Sequence, residues 1–317
     1  MMSNDSNCLN IAEGLRIDPV VVCREIEELI RTTLEALRRD GAVVALSGGL
    51  DSAVVATLTV RSLGTDRVHL LNLPERDSKP IHQKHAKRLA EHLGMNLAAR
   101  SISPILRAAG SYRLLPLGFI PGRTLRRMLV DFTKSKVLTD RGSNLLADRL
   151  QPKANSWLAK GNAYVIAKHR IRMAVIYQYA EVRNLMVVGA ANRTEWLTGT
   201  FSKWGVDHCA DVMPIIHLYR SQLEILAEHL QVPEFIRLKA ADPDFIPGLD
   251  DKEALLGDFS TTDRILYGIE NQFDLQALYR TYGKQNVERL LNMVELSKHM
   301  RESPYQIASS PTGVSYG

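Results

Sequence analysis

Only three cysteines occur in the 317 residues, Cys8, Cys23 and Cys209, widely separated and without a CxxC pair. An odd, scattered set argues against a disulfide framework and against a cysteine-ligated metal, and points to a reducing, cytoplasmic compartment. No apolar run approaches the length of a membrane span, and Met1-Met2-Ser3-Asn4-Asp5 lacks the basic start and apolar core of a signal peptide. Repeats and low-complexity tracts are absent. His208 and His217 stand nine residues apart without other ligands nearby, and His82 and His85 are expected on one face of a surface helix, so zinc is not expected. The GxxxxGK[ST] nucleotide loop is missing as well.

What is present is the composition of an ordinary soluble protein, 45% hydrophobic and 24% charged, long enough for one large α/β core with an insertion. The formal charge of +5 is uneven: residues 101–160 carry eleven basic side chains against three acidic ones. That block either solvates a surface or receives a polyanion.

The segment Ser47-Gly48-Gly49-Leu50-Asp51-Ser52 follows the apolar run Ala42–Leu46 and precedes Ala53–Leu58, which continues without Gly or Pro up to Gly64. It reads as strand, glycine turn and helix, a junction whose backbone N–H groups and helix N-terminus cradle an anion. The cradle has no lysine of its own, so N–H groups and the hydroxyls of Ser47 and Ser52 must hold the anion. Asp51 beside a polyphosphate would be repulsive without a cation between them, and this predicts Mg2+. Around this loop a helix is expected from Pro19 to Arg39, stopped by Gly41. Strands are expected at Arg67–Leu73 and Met95–Arg100, with a helix at Pro80–Leu93 between them. This βαβαβ alternation predicts a mostly parallel, doubly wound α/β sheet flanked by helices, with its ligand beyond the carboxyl ends of the strands. Prolines at 104, 116, 121 and 152 mark residues 102–160 as a basic insertion or lid. A helix returns from Asn162 to Tyr179, a buried strand follows at Leu185–Val188, and helices are expected from His217 to Leu230, from Pro233 and over a C-terminal extension, residues 260–317. The whole, residues 1–317, is expected to be a single domain.

After that strand, Ala191-Asn192-Arg193-Thr194-Glu195 opens a short helix at a second strand end. Topology therefore turns Glu195 toward the same crevice as Asp51, and two such carboxylates suit Mg2+.

The SGGLDS loop resembles the pyrophosphate loop of the ATP pyrophosphatase superfamily. Further segments resemble the NAD synthetases within it: LNLPERDS (Leu71–Ser78), Arg170-Ile171-Arg172-Met173, GAANRTEWLTGTFSKWG, ADVMPIIHLYRSQLEILAEHLQVPE, and KAADPDFIPG with Asp250-Asp251 behind it. The resemblance covers about three quarters of the chain. It implies an adenine nucleotide α-hydrolase-like fold and an ATP- and Mg-dependent carbon–nitrogen ligase. Such an enzyme adenylates the carboxylate of deamido-NAD and amidates it with ammonia, giving NAD, AMP and pyrophosphate. By the same resemblance Ser47, Gly48, Gly49 and Ser52 cradle phosphates, and Asp51 and Glu195 hold Mg2+. Arg220, where the family commonly has lysine, neutralises charge developing on the phosphates, while Arg170 and Arg172 face the dinucleotide or ATP. Asp211 accepts a proton from ammonium, and Lys203 and Lys239 join the substrate side. A homodimer using free ammonia is implied too.

Three features depart from the family pattern: Asp207-His208-Cys209 stands where paired glycines are usual, Asp242-Pro243-Asp244 where a hydroxyl is usual, and the insertion is about thirty residues longer. They leave open a paralogue that amidates another carboxylate. A tRNA-modifying enzyme would use the basic block but lacks the cysteines of thiolases, and nucleic acid is not the expected partner. A non-catalytic nucleotide module conflicts with an intact Ser47, Asp51, Ser52 and Glu195. Cys209, without a partner base, is expected to be a small buried or half-buried cysteine.

Overall fold

The computed structural model describes residues 11–114, 149–206, 208–239, 256 and 258–304. The expectations placed on most of the basic insertion, on Asp207, Asp242, Asp244, Asp250 and Asp251, and on residues past 304 lie outside the described residues.

Helix α1, Pro19–Ala36, starts where Asp18 accepts hydrogen bonds from the N–H groups of Val20 (2.9 Å) and Val21 (3.4 Å), with proline in the first turn. Its buried face, Cys23, Ile26, Ile30 and Leu34, follows helical spacing. The helix ends three residues earlier than expected. Arg38 takes a left-handed φ of 52° and turns the chain into β1, Gly41–Ala45. Gly41 belongs to the strand rather than stopping the helix: a Cβ there would lie 2.4 Å from the Arg67 carbonyl oxygen.

Helix α2, Leu50–Leu63, follows the glycine loop and ends at Gly64, φ 81°. Strand β2, Val68–Asn72, leads to α3, Pro80–His92, and then to the short β3, Leu97–Ala99. Helices α4, Ser103–Ala108, and α5, Ser111–Leu114, precede the long α6, Trp157–Val182. Ser156 caps α6 by accepting the Ala159 N–H at 3.1 Å, so the helix starts five residues before Asn162. Strand β4, Leu185–Val188, then enters the sheet.

The four strands run parallel in the order β3-β2-β1-β4. Alternation along β1 sends Ala42 and Val44 toward α1 and α2 and Val43 toward α6, where it meets Val175, Ile176 and Ala180. All three β1 side chains are fully buried, and each branched aliphatic side chain so placed contributes about 1.5–3 kcal/mol. Strand order reverses between β1 and β4, and a crevice opens at such a switch point beyond the strand ends.

Helix α7, Arg193–Thr198, follows β4, and α8, Arg220–His229, and α9, Glu234–Arg237, come after it. α8 begins at Arg220 rather than His217 because Tyr219 is its cap, its N–H bound by the Gln222 side chain at 2.8 Å. Four helices complete the described chain: α10, Phe259–Glu270; α11, Leu275–Tyr282; α12, Lys284–Leu296; and α13, Lys298–Arg301. Helices α10, α11 and α12 form a second apolar cluster with Ile11, Leu197 and Tyr219, so the tail packs directly on α7 and α8. His85 departs from its expected surface position: it is buried, its ring 5.2 Å from that of Phe235. Among the described residues no helix is long and apolar enough to cross a membrane.

Candidate active site

The glycine loop turns sharply between β1 and α2. Gly48 has φ 83°, and a Cβ on it would lie 2.3 Å from the His82 carbonyl oxygen in the first turn of α3, so glycine alone fits. The hydroxyls of Ser47 and Ser52 lie 2.9 Å apart. Ser52 donates to the Gly49 carbonyl at 3.1 Å, and Ser47 Oγ accepts the Gly49 N–H at 3.2 Å. The two hydroxyls and Gly48 thus share one small turn at the N-terminus of α2. That placement suits an anion.

Asp51 stands in the first turn of α2 and Glu195 in the first turn of α7, both half-buried and at the ends of the two strands that flank the switch point. Asn192 lies between them, 1% exposed. Its Oδ1 accepts the Glu195 N–H at 2.9 Å, which caps α7, and its Nδ2 donates to Asp51 Oδ1 at 2.9 Å. Among the described residues Asp51 has no cationic partner. Among the described residues no three His, Cys, Asp or Glu converge there as a metal cage, so a hard cation held here would complete its shell with substrate oxygens and water.

Arg220 opens α8, 7% exposed, its guanidinium 5.3 Å from the Phe259 ring. Nη1 lies 3.1 Å from Glu224 Oε1, but the alignment gives a charge contact rather than a hydrogen bond. The main chain here is tied to α7: the Arg220 N–H donates to Thr194 Oγ1 at 2.9 Å, and Thr194 donates to Asp263 Oδ1 at 2.6 Å. Asp263, from α10 and fully buried, also accepts the Ser221 N–H at 2.7 Å. Burial pushes its carboxyl up, and the Thr194 and Ser221 hydrogen bonds pull it back. Tyr219 and Arg193 both engage Glu270, so α10 holds the start of each site helix.

The other residues singled out in the sequence are spread around this centre. Arg172 donates through Nε to the Leu73 carbonyl at 3.1 Å, at the carboxyl end of β2. Arg170 donates twice to the Lys203 carbonyl at 3.3 Å, while Lys203 Nζ donates to the His299 carbonyl at 2.5 Å. Asp211 is fixed along the edge of β4 opposite β1, accepting from the Val187 N–H at 2.7 Å and the Tyr177 hydroxyl at 3.0 Å. Burial, with Asp211 beside it, raises the Tyr177 hydroxyl, and burial raises the half-buried Cys209 thiol, which keeps that thiol a poor nucleophile. Lys239 Nζ lies 2.5 Å from His82 Nδ1, beside the turn of α3 that covers Gly48.

Three features escaped sequence reasoning: Asn192, the Thr194–Asp263 tie, and a polar cluster behind β2. In that cluster the buried Lys168 and Glu75 pair at 3.3 Å. Glu75 Oε2 accepts from the Asp77 N–H at 3.0 Å and the Tyr112 hydroxyl at 3.1 Å, and Asp77 accepts from Arg76 and Tyr164. Burial alone would raise the Asp77 carboxyl, but the Arg76 and Tyr164 hydrogen bonds outweigh it and hold it low. Of the three, Asn192 alone carried a local signal, an N-x-x-E run at a helix start.

A family model described as NAD synthase matches residues 22–115 and 136–304. An NH(3)-dependent NAD(+) synthetase from Thermotoga neapolitana is 43% identical over 279 residues, covering 87% of this chain and 92% of that protein. Its counterpart from Thermotoga maritima is 42% identical over 279 residues, covering 87% and 95%. Among solved structures, an NMN synthetase from Francisella tularensis has a TM-score of 0.67 at 23% identity, over 92% of this chain and 100% of that one. An NH3-dependent NAD synthetase from Campylobacter jejuni gives 0.66 at 22% identity, with 92% and 100% covered. Likenesses at these identities show the fold, a parallel sheet between helices.

Proposed function

Because the chain belongs to the NAD synthase family, we propose that it is an ATP-dependent ligase that adenylates the carboxylate of deamido-NAD and amidates it with ammonia, yielding NAD, AMP and pyrophosphate. The observation that carries the site assignment is the hydrogen bond from Asn192 to Asp51, which joins the ends of β1 and β4 at the switch point.

A carboxylate is a poor electrophile, and transfer of AMP to it supplies a leaving group. Ser47, Gly48, Gly49 and Ser52 hold the β and γ phosphates, and close approach is possible because Gly48 has no side chain to intervene. Asp51 and Glu195 are the residues that would hold Mg2+, which when bound supplies positive charge to the phosphate oxygens. Arg220, ordered by Thr194, Asp263 and Glu224, balances charge developing on the departing pyrophosphate. Arg172 is held at the end of β2 to face the nucleotide, and Arg170, Lys203 and Lys239 serve the dinucleotide. Asp211 takes the proton that ammonium must lose before it attacks; each of its oxygens keeps a lone pair beyond the bonds from Val187 and Tyr177. Assembly as a homodimer belongs to the same reading and is supported by the family resemblance.

The test is a substrate panel. Purified protein with Mg-ATP and ammonium is given deamido-NAD, nicotinate mononucleotide and unrelated carboxylic acids while AMP and pyrophosphate are followed. AMP release that depends on deamido-NAD is expected. Turnover confined to another acid would overturn the substrate assignment.

A further inference from the structure

Asn192 does two things with one side chain. The Glu195 N–H can only donate, so the atom it meets must be the amide oxygen, and the NH2 group necessarily faces Asp51. The orientation is therefore fixed without ambiguity. At 1% exposure no bulk water can take over either bond. The donor is neutral, so it fixes one oxygen of Asp51 without cancelling the charge, whereas a lysine or arginine there would compete with a cation for the carboxylate.

We propose that Asn192 is a positioning residue for the metal site, holding Asp51 at the end of β1 in register with Glu195 at the end of β4. The inference rests on the reading that these two carboxylates hold the cation. A serine at 192 still caps α7 but is too short to accept the Glu195 N–H and also reach Asp51; alanine does neither. The pair therefore separates a clamp from a helix cap.

The probe is Mn2+ alone, titrated into wild type, Asn192→Ser, Asn192→Ala and Asp51→Ala, with bound ion read by its electron paramagnetic resonance signal and water proton relaxation. Thermal melts are run in parallel. Asn192→Ser and Asn192→Ala are expected to weaken Mn2+ binding to a similar extent, roughly tenfold, although only Asn192→Ala melts earlier. Asp51→Ala is expected to abolish the site. Loss of binding in Asp51→Ala with wild-type affinity in Asn192→Ser would overturn the role of Asn192 and leave the metal reading standing. Wild-type affinity in Asp51→Ala would overturn the metal reading, and the inference with it.

Discussion

Replacing Lys168 by methionine removes the cation that pairs with Glu75 in the buried cluster behind β2 while keeping most of the apolar stem. The Glu75 and Lys168 side chains are 0% and 3% exposed, so solvent screens neither charge. Without Lys168, the Glu75 carboxylate keeps the Asp77 N–H and the Tyr112 hydroxyl as donors but has lost its counter-charge. Breaking a buried pair in this way costs about 3–5 kcal/mol, and the two remaining donors place the expected cost near the lower end. At about 2 °C per kcal/mol for a chain of this length, the midpoint should fall by about 6–8 °C. Pairing Lys168→Met with Glu75→Gln should recover most of that loss, because the amide no longer brings a buried charge and still offers an acceptor. Urea denaturation of wild type, both single variants and the double variant measures the coupling directly. A cost below about 1 kcal/mol for Lys168→Met, or a double variant no more stable than the worse single, would refute the reasoning.

Two further outcomes follow from buried groups. Asp263→Ala strands the Thr194 hydroxyl and the Ser221 N–H, so it should cost about 2–4 kcal/mol and lower kcat by roughly tenfold through Arg220; loss of stability with unchanged kcat would show that the tie does not position the arginine. His69, His85, His208 and His217 are all held below the ordinary 6.5, in each case first by burial; a neighbouring cation adds to it at His69, His85 and His208, while at His217 Glu25 opposes it and Arg193 adds to it. Below that value the unfolded chain binds more protons than the folded one, so their contribution is complete above 6.5 and is lost as pH falls. Melting temperature should therefore be flat between about pH 7 and 8 and decline as pH drops toward about 5, and a rise over that lower range would contradict the sign.

The loop from Ser47 to Ser52 was legible because its constraints are local: an apolar strand before it, a turn that only glycine tolerates at Gly48, and a helix without a polar face after it. The parallel sheet followed from element order for the same reason. Helix boundaries were harder. Nothing in Leu37-Arg38-Arg39 announces that Arg38 turns left-handed, and Gly41 drew attention for a reason that proved to be close packing against Arg67. Long-range polar ties were invisible. Glu75 and Lys168 are 93 residues apart, and Thr194 and Asp263 are 69 apart, so one sequence holds no sign of their meeting. His85 read as a surface residue because its partner Phe235 comes from a helix far along the chain. Asn192 lay inside a segment whose helix start was recognised, yet its second bond, across to Asp51, depends on the placement of β1 beside β4.

The central claim is that the acid is activated as an acyl adenylate above this loop. Deamido-NAD labelled with 18O in both carboxylate oxygens tests it directly, with Mg-ATP, ammonium and mass analysis of every product. The carboxylate attacks the α phosphorus and ammonia then expels AMP, so one labelled oxygen should appear in AMP, the other should remain in the amide, and pyrophosphate should carry none. Label in phosphate or pyrophosphate, or unlabelled AMP alongside labelled NAD, would contradict the account.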